Sequence, residues 1–197
     1  MRKKIEFFFE RYISHLSKSL YRIDKKSLNN AANEVLKKIY NKNTIFVCGN
    51  GGSAAISNHY ICDYLKFFRE KTKYKPKIMS LSDNIETIMA ISNDLDYKYV
   101  FSYQAESLCK KNDLVIIISS SGNSKNIIEL LKFTKKNKIK TIGFSGFNGG
   151  YLKKNCDISV HVDVNNYGIS EDSHHILMHM ILQYLIEIVN SQKTLKK

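Results

Sequence analysis

The chain has no tryptophan, one proline, nine glycines and four cysteines in 197 residues, and only four of its 31 basic residues are arginine. Each scarcity excludes something. There is no Gly-X-Y repeat, so a collagen-type helix is out. No apolar run approaches the ~18 residues that a membrane helix needs. Cys48, Cys62, Cys109 and Cys156 stand far apart and form no Cys-x-x-Cys pair. A zinc-thiolate site or a disulfide framework does not fit that spacing. Their apolar neighbours predict buried free thiols in a reducing compartment. Few arginines also weigh against a nucleic-acid surface, because the guanidinium fork is what reads phosphate and guanine. The net charge of +13 comes from lysines spread along the chain, with one modest cluster at Lys71, Lys73, Lys75 and Lys77. That pattern reads as a solvated surface whose field favours an anionic substrate.

What is present points to one folded domain, 1–197. A hydrophobic fraction of 43% is too high for a disordered chain, and no linker or internal repeat divides it. The basic start Met1-Arg2-Lys3-Lys4 is followed by Glu6, Glu10 and Arg11. These break any signal-peptide core, so a cytoplasmic protein is expected.

The rhythm of apolar residues changes near residue 44. Before it, Ile5, Phe8, Phe9, Tyr12, Ile13, Leu16 and Leu20 recur at helical spacing, as do Leu28, Ala31, Ala32, Val35, Leu36 and Ile39. Asp24 and Ser27 are candidate caps for the second helix. After it, short apolar runs alternate with helical stretches. Thr44–Cys48, Lys77–Ser82, Leu114–Ile118, Thr141–Phe144 and Ile158–Val162 read as strands. Helices are expected from the glycine loop to about Lys66, over Asn84–Ser92 and Tyr97–Leu108, through Ile127–Phe133, and from about Ile169 to Val189. Strands that are apolar throughout are buried on both faces and parallel. The expected fold is α/β: a five-stranded parallel sheet flanked by helices, with its ligand at the carboxyl ends of the strands.

Two strand-to-helix loops carry the chemistry. Gly49-Asn50-Gly51-Gly52-Ser53 lets the backbone approach a ligand at a helix N-terminus. It lacks the third glycine of the dinucleotide fingerprint, and a plain tight turn is the competing reading. Ser119-Ser120-Ser121-Gly122-Asn123-Ser124 offers four hydroxyls at a second helix N-terminus, where an N-cap needs one. It can surround a phosphate without a buried lysine. His59 and Asp63 are one turn apart on the helix after the glycine loop. Glu171, Asp172, His174, His175 and His179 form a polar head on the last helix. His175 and His179 are i,i+4 neighbours, whereas His174 points away from His179. His59, Asp63, Glu171 and His179 can be read as an acid–base set or as a metal site, and the spacing matches no standard zinc motif.

The combination GNGGSAA, His59, Asn93-Asp94, SSSGNS, Thr141-Ile142-Gly143 and a histidine-bearing last helix resembles the SIS phosphosugar-isomerase family. Within it, the match is to the phosphoheptose isomerases, from about residue 28 to 190. The resemblance implies a flavodoxin-like three-layer sandwich over 43–190 and an oligomerising helical segment over 1–42. It implies a homotetramer with active sites at subunit interfaces, and aldose–ketose isomerisation of sedoheptulose 7-phosphate through an enediol. By position, Asn50, Gly51, Gly52, Ser53, Asn93, Asp94 and Glu171 line the sugar site. Ser119, Ser120, Ser121 and Ser124 hold the phosphate. His59, Asp63, Glu171 and His179 match zinc positions, and Asp63 with His179 is the proton-transfer pair. Four positions depart from the family: Asp63 for Glu, Glu171 for Gln, Ile169 for Arg and Ser120 for Thr. They leave room for another sugar phosphate, or for a non-catalytic module that binds a sugar phosphate or a protein.

Overall fold

A computed structural model describes residues 4–194. The basic start at Met1–Lys3 lies outside the described residues. The central element is a five-stranded, all-parallel sheet in the order β2-β1-β3-β4-β5. Its strands are β1 (Thr44–Gly49), β2 (Lys77–Ser80), β3 (Leu114–Ser119), β4 (Lys140–Ser145) and β5 (Ile158–His161). Every residue of β3 is buried, and so is all of β1 after Thr44. Branched Val and Ile side chains suit such two-sided burial, because they pack on both faces of the pleat.

Alternate residues of each strand feed two cores. Ile45, Val47, Leu114, Ile116 and Phe144 face one layer of helices: α2 (Lys25–Tyr40), α3 (Gly52–Cys62) and α9 (Tyr167–Thr194). Phe46, Cys48, Val115 and Ile117 face the other: α5 (Ile85–Asp94), α6 (Val100–Leu108), α7 (Lys125–Lys136) and α8 (Gly150–Asn155). The three-layer α/β sandwich is therefore the expected one. Asp24 caps α2, accepting from the Lys26 and Ser27 amides at 3.0 and 3.2 Å.

Several local features differ from the sequence expectation. The helix after the glycine loop does not stop near Lys66. It continues through a π-helical stretch, Asp63–Phe68, into a final turn, α4 (Arg69–Thr72). α8, between β4 and β5, was not among the expected helices. Only Cys48 of the four thiols is fully buried; Cys62 is exposed and the other two lie between. Cys62 sits on the solvent side of α3, so its apolar neighbours in sequence are not its neighbours in space. α1 (Ile5–Tyr21) packs on α9 but buries only Ser19, leaving Ile5, Phe7, Phe8, Phe9 and Ile13 exposed. Among the described residues no helix is long and apolar enough to cross a membrane.

His174 on α9 is fully buried, with its ring edge-on to Phe144 at 6.1 Å. Burial holds its pKa down at about 4. The unfolded chain, with an ordinary value of about 6.5, takes up that proton first. Stability is therefore retained above about 6.5 and lost as pH falls toward 4, by on the order of 3 kcal/mol. Melting temperature measured across this window should fall steeply, and His174→Leu should flatten the slope. Equal slopes in the two proteins would contradict this account.

Candidate functional site

The strand order reverses between β1 and β3, and parallel sheets bind ligands at that crevice. The glycine loop leaves β1 and the serine loop leaves β3, so both open on the same edge. They are tied together. Asn50 donates through Nδ2 to Asn126 Oδ1 at 3.0 Å, and Asn126 Nδ2 donates back to Asn50 Oδ1 at 2.8 Å. The Tyr97 hydroxyl donates to the same Asn50 oxygen at 2.8 Å. Asn126 and Tyr97 are contributions that sequence reasoning missed. Neither belongs to a motif, and only the fold brings them to Asn50.

In the serine loop, Ser119 and Ser120 are buried. The Ser119 hydroxyl oxygen accepts from the Gly122 amide at 3.2 Å, and Ser170 donates to Ser120 Oγ at 3.1 Å. These two hydroxyls shape the loop. Ser121 and Ser124 are partly exposed. Ser124 is the N-cap residue of α7, yet its side chain makes no capping bond. The Ile127 amide is taken by Asn126 Oδ1 at 3.0 Å, while the Ser124 hydroxyl at the mouth of α7 is left to face an anion. In the glycine loop Ser53 is buried, while Gly51 and Gly52 are exposed. The Glu171 carboxylate lies directly over Gly52. A Cβ there would stand 2.5 Å from Glu171 Oε2 and 2.9 Å from Oε1. Asn93 and Asp94 lie exposed at the end of α5, where Asn93 Nδ2 donates to Asp94 Oδ1 at 2.8 Å. No hydrogen bond joins them to either loop.

The acid–base candidates meet where α3 packs on α9. Asp63 Oδ2 lies 3.5 Å from His59 Nε2 and 3.2 Å from His179 Nε2, and the two imidazole nitrogens are 3.1 Å apart. Asp63 is the first residue of the π-helical stretch. A π-turn changes the phase of a helix, and such turns recur at functional sites. Tyr64 and Phe68 stay buried behind it. The Asp63 carboxylate, one α-helical turn after His59, reaches both histidines. His175, outside the expected set, joins this cluster: one nitrogen from each of His59, His175 and His179 lies within 4.8 Å of the others. Burial, then the charges of His179 and His59, push the His175 pKa down. Its i,i+4 spacing from His179 was the available signal. Glu171 is not in the cluster. It lies two turns before His179, over Gly52. Beside it, Tyr12 of α1 donates to Asp172 Oδ2 at 2.6 Å, and this bond raises the phenol pKa to about 12.

Comparison with known proteins gives the family. The SIS-domain family model matches residues 8–146. A probable phosphoheptose isomerase of Thermoplasma acidophilum is 35% identical over 90% of this chain and 97% of its own length. The chain belongs to the phosphoheptose isomerases of the SIS-domain family. The phosphoheptose isomerase of Helicobacter pylori is 32% identical to this SIS domain over 84% of the chain and 85% of its own. Among solved structures, the Neisseria gonorrhoeae phosphoheptose isomerase superposes with a TM-score of 0.81 at 27% identity, covering 92% of this chain and 96% of that one. The Francisella tularensis phosphoheptose isomerase shares the fold, with a TM-score of 0.85 at 24% identity over 93% and 96% of the two chains.

Two loop glycines of this SIS domain have positive φ for different reasons. Gly51 (φ 53°) has open space where a Cβ would point, whereas at Gly122 (φ 65°) a Cβ would collide with the Gly149 carbonyl oxygen. Gly51→Ala should cost about 1–3 kcal/mol from backbone strain alone. Gly122→Ala adds the collision and should exceed about 4 kcal/mol. Urea unfolding midpoints test this, and equal losses would contradict the loop contact.

Proposed function

We propose that this chain isomerises sedoheptulose 7-phosphate to a heptose 7-phosphate through an enediol, supplying heptose for surface polysaccharide. The observation that carries the reading is the Asp63–His59–His179 cluster, with pairwise separations of 3.1–3.5 Å, in a phosphoheptose isomerase relative. Ser124, Ser121 and the amides at the start of α7 bind the phosphate, favoured by the helix dipole. Gly51 and Gly52 leave room for the sugar carbons, and Ser53, Asn93, Asp94 and Glu171 line their path. Asn50 holds the glycine loop against α7.

Isomerisation moves one proton between neighbouring carbons. Asp63 is the base: it takes a proton from C1 of the ketose and returns one to C2. His179, hydrogen-bonding distance from Asp63, moves a proton between the C1 and C2 oxygens, so the enediol collapses to the aldose. His59 orients the pair.

Zinc is part of the proposal. Four donors at ~2.0–2.1 Å from a tetrahedral zinc stand about 3.3 Å apart. The observed separations of 3.1, 3.2 and 3.5 Å among His179, His59 and Asp63 fit that edge. Bound zinc would polarise the sugar carbonyl and stabilise negative charge on oxygen.

We also propose a cytoplasmic homotetramer with active sites at subunit interfaces. The His59 and His179 side chains are 48% and 41% exposed in the single chain, open for a surface whose chemistry needs shelter from water. The uncovered apolar face of α1 supports association.

Steady-state assays of sedoheptulose 7-phosphate against five- and six-carbon ketose phosphates test the reading. The seven-carbon substrate should lead in kcat/KM by about tenfold or more, the worth of one good extra contact. Asp63→Asn and His179→Ala should each cut kcat by about 100-fold or more, with unchanged circular dichroism. Ser124→Ala should act mainly on KM. Full activity in both Asp63→Asn and His179→Ala would sink the assignment.

A further inference from the structure

The head of α9 touches three segments through three consecutive residues. Ser170 donates to Ser120 Oγ of the serine loop at 3.1 Å. The Glu171 carboxylate lies on Gly52 of the glycine loop. Asp172 accepts the Tyr12 hydroxyl of α1 at 2.6 Å. Successive helix residues are turned by about 100°, so one rigid turn reaches all three. The bond to Asp172 is charge-assisted and short, which marks it as one of the stronger kind. The same hydroxyl fills space beside Gly168, where a Cβ would stand 2.9 Å from it. α1 has Ser19 as its one buried residue. The Tyr12–Asp172 bond is therefore not a by-product of a packed core.

We propose that Tyr12 is a positioning residue for the sugar side of the site: its hydrogen bond to Asp172 fixes the head of α9 so that the Glu171 carboxylate stays over the glycine loop. This inference rests on the isomerase reading above and deepens it. Tyr12 acts through Asp172 on the neighbouring Glu171, which lines the path of the sugar carbons. A carboxylate is useful there only while its orientation is held. Ser170 and Ser120 are both buried, so the phosphate side of the same turn keeps a tie of its own. Loss of the Tyr12 hydroxyl therefore loosens the sugar end and spares the phosphate end.

Tyr12→Phe removes the hydroxyl and keeps the ring. It should lower kcat/KM for sedoheptulose 7-phosphate by about tenfold, within what the loss of one hydrogen bond to a charged group costs. The inhibition constant of inorganic phosphate should be unchanged. Asp172→Ala should match Tyr12→Phe, and Asp172→Asn, which keeps an acceptor oxygen, should lose less. In a Glu171→Ala background Tyr12→Phe should add nothing, because the group it positions is gone. Amide hydrogen exchange, which needs no turnover, is measured on the same proteins. Tyr12→Phe should speed exchange in the head of α9 and in the glycine loop and leave β3 unchanged. Unchanged kcat/KM in Tyr12→Phe, or a full further loss on top of Glu171→Ala, overturns the role of Tyr12 and leaves the isomerase reading standing. If the unmodified protein does not turn the sugar over, the isomerase reading falls and exchange alone decides. Faster exchange in both segments then upholds the tie, and unchanged rates overturn it.

Discussion

The pairing of β1 with β3 is the constraint on which the rest depends. Ile45 to Gly49 run in register with Leu114 to Ile118, at the centre of a sheet covered on both faces. Neither strand can slip by one residue without exchanging its two buried faces. The loops that follow are therefore fixed side by side, and the reciprocal Asn50–Asn126 amide pair closes the gap between them. In the proposed reading, a phosphate at the start of α7 would direct its carbon chain over the glycine loop for the same reason.

The second tier is the packing of α3 on α9. Both helices bury apolar faces against one side of the sheet, through Ile56, Tyr60, Tyr64, Leu177, Ile181 and Leu185. That packing sets the distance between His59, Asp63 and the α9 histidines. Asp63 faces this junction at the start of the π-helical stretch, and Tyr64 and Phe68 remain in the core. The Asp63 carboxylate lies within 3.5 Å of two imidazoles.

Much of this was legible in the residues. The strands announced themselves as short apolar runs, and the glycine and serine loops announced the carboxyl edge. His59 and Asp63 were readable as helical neighbours. What escaped shares a cause: it depends on contacts between distant segments. The clasp by Asn126 and Tyr97 has no local signature. The periodicity of α1 is helical, but it cannot tell whether Phe8 and Phe9 meet this chain's core or remain outside it. Cys62 has apolar neighbours in sequence and solvent in space. Glu171 and His179 share a helix, and only the placement of Gly52 shows that the carboxylate turns toward the loop while His175 turns toward the cluster.

The central claim is that a side-chain base carries a proton between C1 and C2. It is tested most directly by following sedoheptulose 7-phosphate with the zinc-loaded protein in D2O by NMR. The account predicts an aldose 7-phosphate with solvent deuterium at C2. An aldose that carries the former C1 hydrogen at C2 in every molecule, or no turnover and no exchange at C1, would contradict it.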